Sequence, residues 1–204
     1  MMRMRARSDR PEPVASPKPR GQVSLFARNF FQHPRMLGSI IPSSRFLVRR
    51  LLGQVDWERA RVVVEYGPGV GTITRELLRR MHPDATLVVI ETNRDFVEFL
   101  EEALPDPRLR VIHGSAESAK AELERLGLPA ADYVLAGIPF STMPADTRER
   151  ILRGSVDALS PEGAMLIYQF TSSLISDLRE VFSDVERDFE LFNLLPARLY
   201  YCRP

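Results

Sequence analysis

Three glycines alternate through Gly67-Pro68-Gly69-Val70-Gly71, into which the apolar run Val62-Val63-Val64 leads through Glu65 and Tyr66. Ile73, Leu77, Leu78 and Met81 follow at helical spacing. A strand, a glycine turn and a helix in that order make a ligand cradle, because glycine lets the main chain turn tightly and lets a ligand approach it closely. Thr72 stands where the dinucleotide spacing G-x-G-x-x-G needs its last glycine, and no Gly-Lys-Ser/Thr follows as in a phosphate loop. Glu65, two residues before the first glycine, would repel a pyrophosphate and suits a cationic ligand. Twenty residues beyond Gly71 a second apolar run ends in Glu91, where a carboxylate can accept from both hydroxyls of a ribose. A ligand with both a ribose and positive charge is S-adenosylmethionine, which carries a sulfonium and an α-ammonium. Gly114-Ser115-Ala116-Glu117, after a third run, suits the edge of its adenine. The residues expected to bind this cofactor are Glu65, Tyr66, Gly67, Pro68, Gly69, Gly71, Thr72, Glu91, Thr92, Ser115, Ala116, Glu117 and Gly137. Glu91 would also serve as a solvated acid at a helix start, and Ser115 as a simple helix cap.

These residues need a frame that brings strand ends together. The pattern predicts strands at Arg61–Val64, Thr86–Ile90, Arg110–Ile112, Asp132–Ala136 and Ala164–Tyr168. Helical stripes lie between them: Phe96, Phe99, Leu100 and Ala103; about Ala116 to Leu126; then Ile151, Leu152, Val156 and Leu159. Asp146 and Glu149 have capping-box spacing, and Pro161-Glu-Gly163 reads as a turn. Leu174, Ile175, Leu178, Val181 and Phe182 form a further stripe, and Phe189–Leu195 and Arg198–Cys202 read as two strands around Pro196. Near-continuous apolar strands alternating with helices predict an α/β fold: a mostly parallel seven-stranded sheet covered on both faces, with an antiparallel C-terminal edge. Ahead of it, Val23, Phe26, Ala27, Phe30 and Phe31 share one helical stripe that Pro34 ends. A second short helix is expected after Ser43 or Ser44, with Phe46, Leu47, Leu51 and Leu52 on one side and Arg45, Arg49 and Arg50 elsewhere.

The chain divides into a disordered basic arm (1–20), an N-terminal amphipathic segment (21–58) and a cofactor-binding domain (59–204). Residues 1–20 carry six cations against Asp9 and Glu12, among four prolines, so this arm cannot bury enough apolar surface to order itself. With a net charge of +1, the remaining chain is mildly acidic and makes a weak case for nucleic acid. The single cysteine, Cys202, excludes an internal disulfide and a cysteine metal cluster. His33, His82 and His113 lack metal-ligand spacing, so no metal is expected. No apolar run nears the ~20 residues of a membrane span.

Glu65–Gly71, Glu91, Gly114–Glu117 and Gly137-Ile138-Pro139-Phe140 together resemble the Rossmann-like class I S-adenosylmethionine-dependent methyltransferases over about residues 60–204. Phe30-Phe-Gln-His-Pro-Arg35, Gly38–Arg45 and Gln169-Phe-Thr171 narrow the resemblance to the soluble bacterial phospholipid N-methyltransferases. That resemblance implies stepwise methylation of phosphatidylethanolamine towards phosphatidylcholine, with S-adenosylhomocysteine as coproduct. It also implies a peripheral, monomeric enzyme at the inner face of the cell membrane. Ser115 departs from the Asp that many relatives carry there, and Glu117 is a neighbouring substitute. Gly137 departs from the Asn of rRNA adenine dimethyltransferases, which accepts from the target amino group. On the lipid reading, Phe26, Phe30 and Phe31 enter the bilayer interface while Arg28 and Arg35 meet anionic head groups. The same apolar stripe would equally pack on the core. Ser43, Ser44 and Arg45 are expected to hold a lipid phosphate, or simply to cap a helix, with Ile138 and Pro139 near the substrate. Tyr66, His33 and Tyr200 are the candidates to accept the amine proton. The rival readings are an rRNA or other nucleic-acid adenine N6-methyltransferase, a small-amine methyltransferase, and a non-catalytic cofactor-binding protein.

Overall fold

The computed structural model describes residues 44–171, 173–191 and 195–204. The arm at 1–20, most of the segment at 21–58, and with them Phe26, Arg28, Phe30, Phe31, His33, Arg35 and Ser43, lie outside the described residues.

Helix α1 (Arg45–Leu52) precedes β1 (Val62–Tyr66), α2 (Thr72–Arg80), β2 (Thr86–Glu91), α3 (Arg94–Ala103) and β3 (Leu109–His113). Then come α4 (Ala119–Arg125), β4 (Ala131–Ala136), α5 (Ala145–Ala158), β5 (Leu159–Gln169), α6 (Ile175–Val181), β6 (Asp184–Glu190) and β7 (Ala197–Arg203). The strands form one seven-stranded sheet in the order β3-β2-β1-β4-β5-β7-β6. β1 to β5 run parallel, and β7 and β6 close the far edge antiparallel, as the sequence predicts.

β-Branched and aliphatic runs suit strands buried on both faces. Strand alternation therefore divides the interior in two. Val62, Val64 and Tyr66 face a cluster with Leu123, Ile151, Leu152, Leu178 and Phe182, on the side of α4, α5 and α6. Val63, Leu87 and Val89 face the opposite cluster, with Leu47, Leu51 and Leu52 of α1, Ile73 and Leu77 of α2, and Leu100 of α3.

Five local expectations are corrected. In α1 it is Val48 that is buried beside Leu47, Leu51 and Leu52, while Phe46 is 45% exposed under the Arg45 guanidinium, 4.8 Å from its ring centroid. The helix expected from Ala116 splits into a 3-10 turn (Ala116–Ser118) and α4, because Ser115 caps the first turn alone. Pro144, not Asp146, is the N-cap of α5; Asp146 and Glu149 instead pair with Arg150 and Arg153 one turn on. Pro161-Glu-Gly163 sits within β5 at an irregular register: Ala131 pairs Leu159, yet Tyr133 pairs Ala164. The sixth strand lies at Asp184–Glu190, earlier than Phe189–Leu195. Its alternating charges hide it from a hydrophobic reading, since it is an edge strand held by partners such as Arg203 to Asp184 and Glu186.

Candidate active site

The loops at the carboxyl ends of the parallel strands are laced by main-chain hydrogen bonds. Gly67 N–H donates to the Ile90 carbonyl (3.0 Å), Gly114 N–H to the Glu91 carbonyl (3.0 Å) and Gly137 N–H to the Tyr66 carbonyl (2.9 Å). The Gln169 side-chain amide donates to the Ile138 carbonyl at 2.9 Å. Five strand ends, β1 to β5, are thus fixed in one ridge, where open α/β sheets take their ligands.

Gly67, Gly69 and Gly71 all have positive φ, at 64°, 54° and 74°. A Cβ on Gly67 would lie 2.7 Å from Ile138 Cγ2, so the β4 loop packs where only glycine leaves room. Gly71 is the N-cap of α2, with no side-chain cap bond.

Both predicted acids stand at this turn and both are buried, Glu65 at 3% and Glu91 at 4% exposure. Glu91 Oε2 accepts from Gly69 N–H at 3.2 Å and its Oε1 from Asn93 N–H at 2.9 Å. Burial raises the Glu91 carboxyl above its ordinary range, opposed by the Asn93 and Gly69 amides. Burial pushes Glu65 up to about 8, and the charge of Glu91 adds to the rise against the bond donated by Thr74 Oγ1 at 2.7 Å. Two buried acids beside a glycine turn form a donor set that a cation relieves and a phosphate would aggravate. The residues therefore fit S-adenosylmethionine: Glu91 would be the acid for its ribose, and Glu65 would give up its proton when a cation binds beside it.

The loop after β3, where the adenine is expected, is tied down by hydrogen bonds. Ser115 Oγ accepts from Glu117 N–H at 3.3 Å, and the Glu117 carboxylate takes Arg150 of α5 at 2.7 Å. Ala116 between them is buried. Pro139 caps a 3-10 turn at Phe140–Thr142.

Among the described residues, the candidate proton acceptors Tyr66 and Tyr200 do not gather here. Tyr66 is fully buried on the α5 side and donates its hydroxyl to Ser155 Oγ at 3.2 Å, since Ser155 itself donates to the Ile151 carbonyl. Burial pushes its phenol up to about 12. Tyr200 lies on β7, three strands from β1, 3% exposed, with its phenol also raised by burial. Ser44 Oγ accepts from Leu47 N–H at 3.2 Å, the helix-cap arrangement. Two side chains join the site that the sequence reading passed over. Thr74 is a buried hydroxyl on the otherwise apolar α2 stripe, and that oddity was its signal. The Tyr168 hydroxyl lies 3.0 Å from where a Cβ on Gly137 would sit, beside the Gly67 carbonyl. Inside an apolar strand it carried no signal. Among the described residues, no three His, Cys, Asp or Glu side chains gather as a metal site, and no helix is long and apolar enough to cross a membrane.

Comparison with known proteins places this geometry. The family model for ribosomal RNA adenine dimethylase matches residues 29–124. The ornithine lipid N-methyltransferase of Singulisphaera acidiphila is 34% identical over 181 residues, 88% of this chain and 94% of that protein. Ribosomal RNA small subunit methyltransferase A of Laribacter hongkongensis is 34% identical over 91 residues, 45% of this chain and 29% of the relative. Among solved structures, PigF with SAH aligns with a TM-score of 0.63 at 16% identity, over 89% of this chain and 61% of PigF.

Proposed function

The chain belongs to the class I S-adenosylmethionine-dependent methyltransferases, in the family of the ornithine lipid N-methyltransferase, and we propose that it methylates the amine of a lipid head group. The substrate in this reading is phosphatidylethanolamine, then its mono- and dimethylated products towards phosphatidylcholine. The enzyme works as a peripheral monomer at the inner face of the cell membrane. The observation that carries the lipid reading is reach: the likeness to a lipid N-methyltransferase spans nearly all of both chains, whereas the rRNA relative matches over 29% of its length. Gly137 agrees with it. The Asn expected of an adenine enzyme would be crowded there, since its Cβ would meet Tyr168 Oη at 3.0 Å and Gly67 O at 3.3 Å, so those neighbours would have to give way by a few tenths of an ångström.

When bound, S-adenosylmethionine supplies an electrophilic methyl group. The chain's residues then have to align an acceptor, exclude water and handle a proton. Gly67–Gly71 bring the main chain against the cofactor, and Glu91, held by Gly69 and Asn93, presents a fixed acceptor to the ribose. A primary ammonium with a pKa near ~10 must lose a proton before its nitrogen attacks. The apolar surroundings of Ile138, Pro139 and Phe140 favour the neutral amine by desolvation. Tyr168, with its hydroxyl at the meeting of the β1 and β4 loops, orients that amine.

The relative's substrate gives a second reading, methylation of an ornithine lipid, which also carries a primary amine. Radiolabelled S-adenosylmethionine is incubated separately with vesicles of phosphatidylethanolamine, vesicles of ornithine lipid, ribosomal RNA and an amine mixture. Label in chloroform-extractable phosphatidylcholine precursors is the expected result. Label confined to ornithine lipid replaces the phosphatidylethanolamine reading, and label confined to RNA or soluble amines overturns lipid methylation altogether.

A further inference from the structure

The β6–β7 ribbon has two unlike faces. Towards α1, its charges are matched: Arg50 Nε meets Asp188 at 2.6 Å, Arg50 also reaches Glu190 at 3.6 Å, and Arg203 bonds Glu186 at 2.9 Å as well as Asp184. On the face towards α6, register places Arg187 beside Tyr200 and Phe189 beside Arg198. Among the described residues neither Arg187 nor Arg198 ion-pairs with a carboxylate; Arg198 lies over the Phe189 ring at 5.7 Å. With Ile175 and Tyr200 these side chains line an open groove of about 520 Å³, and Asp188, which borders it, is held by Arg50.

Apolar surface continues from this groove to the end of the ribbon. Phe189 is 40% exposed, Leu191 63% and Leu195 47%. Large aliphatic and aromatic side chains grouped with unpaired arginines mark an interaction surface. Its position adds the functional link. Gln169 at the carboxyl end of β5 pairs with Arg198, so the end of the ribbon stands on the same edge of the sheet as the glycine loop. The Gln169 side chain itself holds the Ile138 carbonyl.

We infer that this outer face docks on a phospholipid bilayer, with Arg187 and Arg198 meeting anionic head-group phosphates and Phe189, Leu191 and Leu195 entering the acyl boundary. The inference rests on the lipid-substrate reading for its purpose, since it sets the methyl-transfer edge against the membrane that holds the acceptor. Guanidinium groups suit such a surface because they bind phosphate oxygens in pairs and stack on an aromatic ring without losing charge.

The test uses the full-length protein and cosedimentation with vesicles of phosphatidylcholine, alone or with about a third phosphatidylglycerol. Arg187→Gln/Arg198→Gln is expected to need about thirtyfold more anionic lipid for half-maximal binding. Leu191→Ser/Leu195→Ser is expected to weaken binding to both vesicle types. The control Arg59→Gln/Arg79→Gln removes the same charge from arginines paired with Glu162 and Glu76, and should bind as the parent. Melting temperature and S-adenosylmethionine affinity are measured alongside and should be shared by all four proteins. Turnover of a monomeric dihexanoyl phosphatidylethanolamine should survive in the Arg187/Arg198 variant while turnover of vesicle substrate falls. Parent-like vesicle binding by that variant, or an equal loss in the control, overturns the docking surface. Docking without methyl transfer to any lipid would sink the substrate reading and leave the surface standing.

Discussion

Glu65 is a carboxyl group folded into the interior of a binding site, and its charge is the most informative property of the loop. Burial and the neighbouring Glu91 raise it to about 8, against an ordinary value of 4.5. The unfolded chain therefore releases this proton near pH 4.5 and the ligand-free fold holds it until about pH 8. Stability from Glu65 is full below pH 4.5, declines as pH rises towards 8, and is level above. Glu65→Gln keeps an acceptor for Thr74 and should flatten that decline in urea titrations across pH 5–8; an unchanged slope would place the charge elsewhere. A cationic cofactor reverses the preference, so its binding should release a proton below pH 8, read by calorimetry in buffers of different ionisation enthalpy, and the release should vanish in Glu65→Gln. Tyr168→Phe gives a second prediction: kcat falls about tenfold or more with S-adenosylmethionine affinity unchanged, since only the acceptor loses a partner. The acids of the site were legible because their spacing from the glycines is a chain-local fact. Tyr168 was not, because it acts through a contact from another element, and Thr74 left only the trace of a hydroxyl on an apolar stripe. Tyr66 was legible as a hydroxyl at the right place in the chain, but strand parity turns it with Val62 and Val64 into the α5 face.

That inward turn gives Tyr66 a role at the level of elements. Its hydroxyl and Ser155 link the end of β1, which launches the glycine loop, to the middle of α5. Tyr66→Phe should cost about 1 kcal/mol, a loss of roughly 2–4 °C in melting temperature, with kcat within twofold of the parent. A hundredfold fall in kcat at unchanged stability would return Tyr66 to the chemistry. Gly67→Ala is expected to act differently, through strain at φ 64° and the 2.7 Å approach to Ile138 Cγ2, lowering both stability and cofactor affinity in thermal melts and equilibrium binding. The parallel strands and helices were readable because burial on both faces forces continuous apolar runs and helical stripes. The edge resisted reading for the opposite reason. β6 alternates Asp184, Glu186, Asp188 and Glu190 with Val185, Arg187 and Phe189, and cross-strand pairs and an open groove, not a core, set its pattern. The apolar residues that follow it, Leu191 and Leu195, imitate a strand and are exposed.

Across the whole molecule, the proposed membrane contact draws on two separate segments. The first twenty residues carry six cations, and the next segment places Phe26, Phe30 and Phe31 on one helical stripe in sequence. The far edge of the sheet carries Arg187 and Arg198 with Phe189, Leu191 and Leu195. On the proposed lipid reading, two such segments on one chain act as linked sites, so each is weak alone and the pair is strong. Deleting residues 1–35 should therefore reduce turnover of phosphatidylethanolamine in vesicles at least tenfold while S-adenosylmethionine affinity stays within threefold. Adding Arg187→Gln/Arg198→Gln to the truncated protein should multiply the loss, because once one contact is gone the other no longer acts at raised effective concentration. Raising ionic strength should weaken the parent more than the doubly altered protein, whose remaining contacts carry fewer cations. An equal loss of cofactor affinity and vesicle turnover on truncation would make the N-terminal segment part of the folded core, leaving the β6–β7 edge to hold the membrane alone.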